Sequence, residues 1–305
     1  MKSIHLLMAL LITSSLSAQT GVQRPHILGI AHVAFRVSDM ARARSFYQEF
    51  LGYQEPFSLK AEDGTIAIAF EKVNDEQYVE LFLGDALSQG QLDHFALYTD
   101  DLAGMRKYLM AQQVPILEDI HKGRTGNSFL TVRDADGHHI EILQYSTTSL
   151  TARSRGTFMP SGRVSSHIPH VGILVSSVGS AMRFYRDVLG FRETSRGGGN
   201  GGQVGWVDLQ SPDGSDYIEL LPFTGVPSPA DLRAQNHFCL ASSDVRKTVA
   251  SIQLRTGSIL LSSPITVQTG GNLPPRANLF DPDGARIEVM GPMSAVQSSS
   301  ATSYP

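Results

Sequence analysis

The sequence predicts an α+β protein of four repeated strand–helix–strand units arranged as two halves, and three features carry that prediction. Ile30–Asp39 (Ile-Ala-His-Val-Ala-Phe-Arg-Val-Ser-Asp) returns as Ile168–Ser177 (Ile-Pro-His-Val-Gly-Ile-Leu-Val-Ser-Ser). Each copy leads into a helical pattern, Ala43–Tyr53 or Ala181–Phe191, that shares Phe-Tyr-x-x-x-Leu-Gly-aromatic. Looser copies begin at Leu92–Tyr98 and Gln235–Ala241, and both end in Asp-x-Asp-Gly followed by alternating apolar residues. Repetition at this scale marks a duplicated architecture rather than one irregular domain.

Each element follows from local chemistry. The opening segments alternate apolar residues at a period of two, as half-buried strands do. The next stretches switch to helical spacing and close on Gly52 or Gly190, the residue type that takes the left-handed position past a helix end. The Tyr and Phe of this stripe read as core. Asp134–Gly137 and Asp281–Gly284 are turn sequences, and Ile140–Leu143 and Ile287–Met290 after them read as strands. The order in each unit is therefore strand, helix, then several strands.

The 305 residues suit two domains, with 41% apolar and 18% charged residues available to build real cores. The formal charge is −4 and no Lys/Arg block occurs, which excludes the electrostatic footprint of a nucleic-acid binder or of a protein drawn to acidic membrane surfaces. Lys2, the apolar run Ile4–Ile12 and the small polar stretch Thr13–Ala18 have the layout of a signal peptide over residues 1–18. A secreted or periplasmic protein is expected, with no membrane anchor after cleavage. Residues 146–165, rich in Ser, Thr, Arg and Gly, are expected to form an exposed linker, and residues 293–305 a disordered tail. The run Gly197–Gly202 falls between strands, so it reads as a flexible loop at the mouth of a site rather than a phosphate cradle. Cys239 is the only cysteine, which rules out an intramolecular disulfide or a thiolate cluster; its expected role is to fill space.

The chemistry lies in eight residues. Every unit carries a His in its first strand (His32, His94, His170, His237) and, at near-constant separation, a Glu in its last (Glu80, Glu141, Glu219, Glu288). A carboxylate within an apolar strand is costly to bury unless it meets a cation, and imidazole plus carboxylate is a common ligand set for divalent metals. Strand alternation puts the small residues Ala34, Ala96, Gly172 and Cys239 on the same face as the histidines, leaving room for a substrate. Further along that face come Arg36 and Tyr98 in the first half, Leu174 and Ala241 in the second. Arg36 is expected to point into the first cavity and hold an anionic group, with Tyr98 beside it. His121, in a polar loop, reads first as a surface histidine and alternatively as a proton carrier for the first site, and His138 and His139 flank Glu141.

These residues and repeats resemble the vicinal oxygen chelate (VOC) superfamily, which includes glyoxalase I, extradiol dioxygenases and antibiotic-resistance proteins. The resemblance spans residues 27–145 and 166–292 and implies four βαβββ modules paired into two half-barrel domains. It also implies one or two divalent ions (Ni, Zn, Co, Fe or Mn), a small-molecule substrate and a monomer or homodimer. The two-His, two-Glu set is most similar to glyoxalase I, with His32, Glu80, His94 and Glu141 forming one site and His170, Glu219, His237 and Glu288 another. That implies an isomerase or lyase in which Glu141 or Glu288 shuttles a proton. Arg36 matches a family arginine that binds the glutathione carboxylate; Leu174 replaces it in the second half, and Gly84 stands where a polar contact is frequent. The alternatives are an extradiol dioxygenase using His170, His237 and Glu288, although no His follows His237, and a non-catalytic binder. Whether modules pair within or across the halves stays open from sequence.

Overall fold

The computed structural model describes residues 21–86, 91–199, 203–255, 265–270 and 273–292. The expected signal segment, the tail and Asn200–Gly202 of the glycine run lie outside the described residues. Strand β1 (Gly29–Val37) leads into helix α1 (Met40–Arg44), which continues as a π-helical segment (Ser45–Phe50). Strands β2 (Gln54–Lys60), β3 (Ile66–Lys72) and β4 (Tyr78–Leu83) complete the module. The second module has β5 (Leu92–Tyr98), α2 (Leu102–Ala111), β6 (Ile116–Lys122), β7 (Ser128–Arg133) and β8 (His139–Gln144). After α3 (Leu150–Arg153) the plan repeats as β9 (His170–Val175), α4 (Val178–Met182) with a π-helical segment (Arg183–Val188), β10 (Arg192–Gly198), β11 (Val204–Gln210) and β12 (Tyr217–Pro222). The last module has α5 (Pro229–Gln235), β13 (His237–Ala241), α6 (Val245–Gln253), β14 (Val267–Gly270), β15 (Leu273–Phe280) and β16 (Arg286–Met290).

The predicted α+β class and four modules are present as two eight-stranded mixed sheets, ordered β2-β3-β4-β1-β5-β8-β7-β6 and β10-β11-β12-β9-β13-β16-β15-β14. Modules pair within each half: β1 runs antiparallel to β5 and β9 to β13. The first strand of each module also runs parallel to its last, as β1 with β4 and β5 with β8. The eight predicted ligands therefore lie on the four central strands of their sheets.

Local sequence explains the helices. Asp39 accepts from the backbone of Ala41 and Arg42, and Ser177 from Ser180, which starts each helix. In place of one regular helix, each then widens by a residue per turn, with Leu51 N donating to Phe46 O and Leu189 N to Phe184 O. The wider turn buries Phe46, Tyr47 and Phe50 together. Gly52 and Gly190 follow at φ +80° and +82°, the left-handed conformation expected for them.

Alternation along β1 sends Val33, Phe35 and Val37 into the helix-side core, which runs uninterrupted through both halves. The seam between halves carries cross-half hydrogen bonds. Gln77 receives Ile168 N at 2.8 Å and donates to Ile168 O at 2.9 Å, and Asp216 accepts from Ile30 N at 2.9 Å. Tyr185 OH donates to Asp134 at 2.9 Å.

The segment 146–165 departs from the exposed linker that its composition suggests. Ser149, Thr151 and Ser154 are buried, and Ser149 caps α3. The fully buried Lys72 donates to Ser154 O at 2.5 Å and Thr157 O at 3.0 Å. Short hydroxyl side chains satisfy their own turns and Asn127, so a polar composition is compatible with burial here.

Candidate metal centres

Register brings the first-half ligands together. Ala34 lies opposite both Glu80 and His94, and Ala96 lies opposite His32 and Glu141. Four long polar side chains thus converge over two methyl groups. The Nε2 atoms of His32 and His94 are 3.0 Å apart. Glu141 approaches both imidazoles, 3.4 Å from His32 Nε2 and 3.6 Å from His94 Nε2, whereas Glu80 lies 3.3 Å from His32 Nδ1. Asp93 accepts from His94 Nδ1 at 2.8 Å, which leaves the Nε2 lone pair directed at the cluster.

The electrostatics divide the two carboxylates. Burial pushes Glu80 up to about 8. Burial also acts on Glu141, but His94 and His32 outweigh it and hold that carboxyl below its usual range. A buried carboxylate raised so far lacks a compensating cation, and two imidazole nitrogens this close both aim at one point. The donor set of the first half therefore fits a divalent metal.

Above the cluster lies a cavity of about 420 Å³ with Leu59, Ile68, Phe70, Tyr78, Phe82 and Phe129 in its walls. His121 sits at this cavity with its ring against Phe129, centroids 4.2 Å apart, and its Nδ1 faces Asp119 O at 2.9 Å. His139 also lines it, held below its usual value by burial and by Arg133.

Arg36 lies outside this lining. A register shift between Ala34 and Phe35 breaks the alternation from which its direction was read, and its guanidinium pairs with Asp93 beside a separate cavity shared with Asp136, His138 and Leu232. Tyr98 lines a further pocket at the seam, next to Asp216, and packs on Tyr145, centroids 5.7 Å apart. Tyr145 itself reaches the first cavity. Arg36 thus stands behind the candidate ligand His94 through Asp93, and Tyr98 behind the cavity wall through Tyr145.

The second half repeats the geometry with different partners. His170 and His237 have Nε2 atoms 3.1 Å apart; Glu288 is 3.3 Å from His170 and 3.9 Å from His237, and Glu219 is 3.3 Å from His237. Gly172, opposite both Glu219 and His237, is a spatial requirement, because a Cβ there would fall 1.9 Å from His237 Cε1. Cys239 is buried opposite Glu288, with its thiol pushed up by burial. Burial raises Glu288, but His170, His237 and Arg286 overcome it and bring it down to about 2, while burial raises Glu219.

Three residues here were not singled out from sequence. Arg286 Nη2 lies 2.8 Å from His237 Nδ1 and 3.0 Å from Nε2. Arg276 Nε is 3.8 Å from Glu288, and Asp208, pushed up to about 7 by burial and by Glu219, faces Glu219 in register. Module alignment could have found them: Arg286 stands where the first half has His139, and Asp208 where it has Phe70. The associated cavity, about 610 Å³, has Arg276, Arg286, Asp208, Glu219 and Glu288 among its lining residues, so two guanidinium groups stand beside the ligand carboxylates.

A family model described as the Glyoxalase/Bleomycin resistance protein/Dioxygenase superfamily matches residues 29–142 and 167–289. The chain belongs to this superfamily. Among curated proteins, the uncharacterized protein YwbC of Bacillus subtilis (strain 168) is 30% identical over 123 residues, which is 38% of this chain and 96% of that protein. Solved structures similar to the chain include homoprotocatechuate 2,3-dioxygenase from Brevibacterium fuscum, with TM-score 0.67, 18% identity and coverage of 92% of this chain and 76% of that one. The 2,3-dioxygenase LapB from Pseudomonas sp. KL28 matches with TM-score 0.65, 16% identity and coverage of 89% and 94%. A further match, TM-score 0.65 at 18% identity over 92% of this chain and 85% of that one, is the Brevibacterium fuscum enzyme in anaerobic complex with 3,4-dihydroxyphenylacetate. At these identities the likeness concerns the fold.

Proposed function

We propose that the chain is a metal-dependent VOC enzyme that opens the ring of a small aromatic vicinal diol with dioxygen, and that the reaction takes place in the first half. The observation that carries this reading is the aromatic-walled cavity directly over His32, His94 and Glu141. One carboxylate approaching both imidazoles gives a two-His, one-carboxylate face, the ligand set of non-haem Fe(II) oxygen chemistry. The dioxygenases that share the fold act on aromatic diols, and this supports the same class of substrate.

A divalent redox-active metal held there supplies Lewis-acid charge to two adjacent substrate oxygens and a route for electrons to dioxygen. The protein supplies the rest. Asp93 fixes the His94 tautomer. Phe70, Phe82 and Phe129 hold a flat ring and exclude water. His121 Nδ1 donates to Asp119 O, and Nε2, 3.9 Å from Glu118, is the nitrogen left to accept the proton of a substrate hydroxyl.

A second reading, a glyoxalase-like isomerase or lyase, draws on Glu80. A second carboxylate 3.3 Å from His32 makes four protein ligands, enough for a bidentate substrate without dioxygen. The amino-terminal segment would carry either enzyme out of the cytoplasm. Protein loaded with Fe(II) or Mn(II) should consume oxygen with catechols, and His32→Ala should abolish the uptake. Isomerisation of 2-oxoaldehyde–thiol adducts without oxygen uptake would move the assignment to the second reading. Ligand binding without turnover in either assay would reduce the chain to a binder.

A further inference from the structure

We infer that the chain holds one divalent metal ion, in the first half, and that Arg286 takes the cation's place in the second. The two clusters have the same four ligand types on equivalent strands, so the difference must lie in what surrounds them. In the first half His94 pairs in register with His139; in the second His237 pairs with Arg286. His237 Nδ1 faces Gln235 O at 2.8 Å, which assigns its proton to that nitrogen and its lone pair to Nε2. Arg286 Nη2 lies 2.8 Å from Nδ1 and 3.0 Å from Nε2 of that ring, so a positive charge is held against the imidazole that a metal would need.

Charge points the same way. A guanidinium stays protonated in proteins, and a dication bound against it would meet an uncompensated like charge in a buried setting. Three carboxylates face this cavity (Asp208, Glu219, Glu288), and the charges of Arg286 and Arg276 already match two of them. Among the described residues no such contact reaches the His or Glu ligands of the first cluster: Arg36, on β1, is engaged by Asp93, and Lys122 and Arg124 line the cavity without an ion pair to these ligands. The two-His, two-Glu pattern in the second half therefore marks a salt-linked network that keeps the shape of a metal site. The residues there do not fit a metal while Arg286 is in place.

The inference concerns metal content and stands apart from the reaction proposed above. Metal-free protein equilibrated with excess Mn(II), dialysed and analysed for bound ion should carry one ion per chain. His32→Ala or Glu141→Ala should reduce this to none, and His237→Ala should leave it at one. Arg286→His, which copies the first-half residue, should raise it to two, and Arg286→Ala provides the same count if that variant fails to fold. Two ions in the unaltered chain would overturn the inference, as would an ion retained in His32→Ala and lost in His237→Ala. A single ion with no catechol-dependent oxygen uptake would defeat the proposed reaction and leave this inference intact.

Discussion

Asp93 and Asn236 occupy equivalent positions before their histidines, yet only Asp93 reaches its neighbour's ring, accepting from His94 Nδ1 at 2.8 Å. Asn236 turns instead to the backbone of Leu174, whose N donates to its Oδ1 at 2.8 Å. A carboxylate behind a ligating imidazole raises its basicity and holds its tautomer. Asp93→Asn should therefore weaken Mn(II) binding by about 10–100-fold, and Asn236→Ala should leave it unchanged. A metal titration in which both substitutions behaved alike would refute the distinction.

The raised Glu80 carboxyl has a consequence for pH. Its protonated form is favoured in the fold, because burial lifts the carboxyl from its ordinary 4.5 up to about 8. This contribution to metal-free stability is complete below about 4.5 and is lost as pH rises through about 8. Thermal melts of metal-free protein should show the loss, and Glu80→Gln should remove that part of the pH dependence. Because the metal needs the deprotonated carboxylate, added Mn(II) should stabilise the chain most at the alkaline end.

Gly172 leaves the space over which the His237 ring lies. Gly172→Ala places a methyl 1.9 Å from Cε1, inside any tolerable contact. The expected cost is about 1–3 kcal/mol in denaturant unfolding, as for overpacked cores. Ala34, its counterpart, already carries a methyl opposite His94. An unchanged unfolding midpoint for Gly172→Ala would mean that His237 is free to move.

Asp216 fastens the second half to β1 through Ile30 N at 2.9 Å, with His167 on its other oxygen at 2.9 Å. Asp216→Ala should lower stability by roughly 1.5–3 kcal/mol, the size of a hydrogen bond to a charged group. Urea denaturation followed by both fluorescence and circular dichroism measures this. The transition should stay single, since the helix-side core is continuous across the seam.

Much of this was legible in the sequence because it rests on periodicity and repetition. Strand alternation placed His32, His94, His170 and His237 on one face, and the shared Asp-x-Asp-Gly endings placed Glu141 and Glu288 opposite them. Arg36 shows where alternation stops working, since one register shift beside Ala34 carries its side chain out of the cavity. The linker residues Ser149, Thr151 and Ser154 show the limit of composition, because a hydroxyl that satisfies a turn can be buried as readily as exposed. Arg286 lies two residues before Glu288 in a ligand-bearing strand, where nothing in the local sequence singles it out. Its importance comes from a cross-strand neighbour, His237, which is remote in sequence.

The clasp of Lys72 on Ser154 and Thr157, together with Gln77 on Ile168, bears on how the protein would survive being cut. A chain nicked at Gly156 would still have Lys72 holding Ser154 on one side of the cut and Thr157 on the other, and Gln77 gripping Ile168 of the carboxy-terminal fragment, over a core that both pieces share. Such pieces would remain associated and separate only on unfolding. The covalent link raises the effective concentration of one half for the other, turning what would be a subunit interface into an interior.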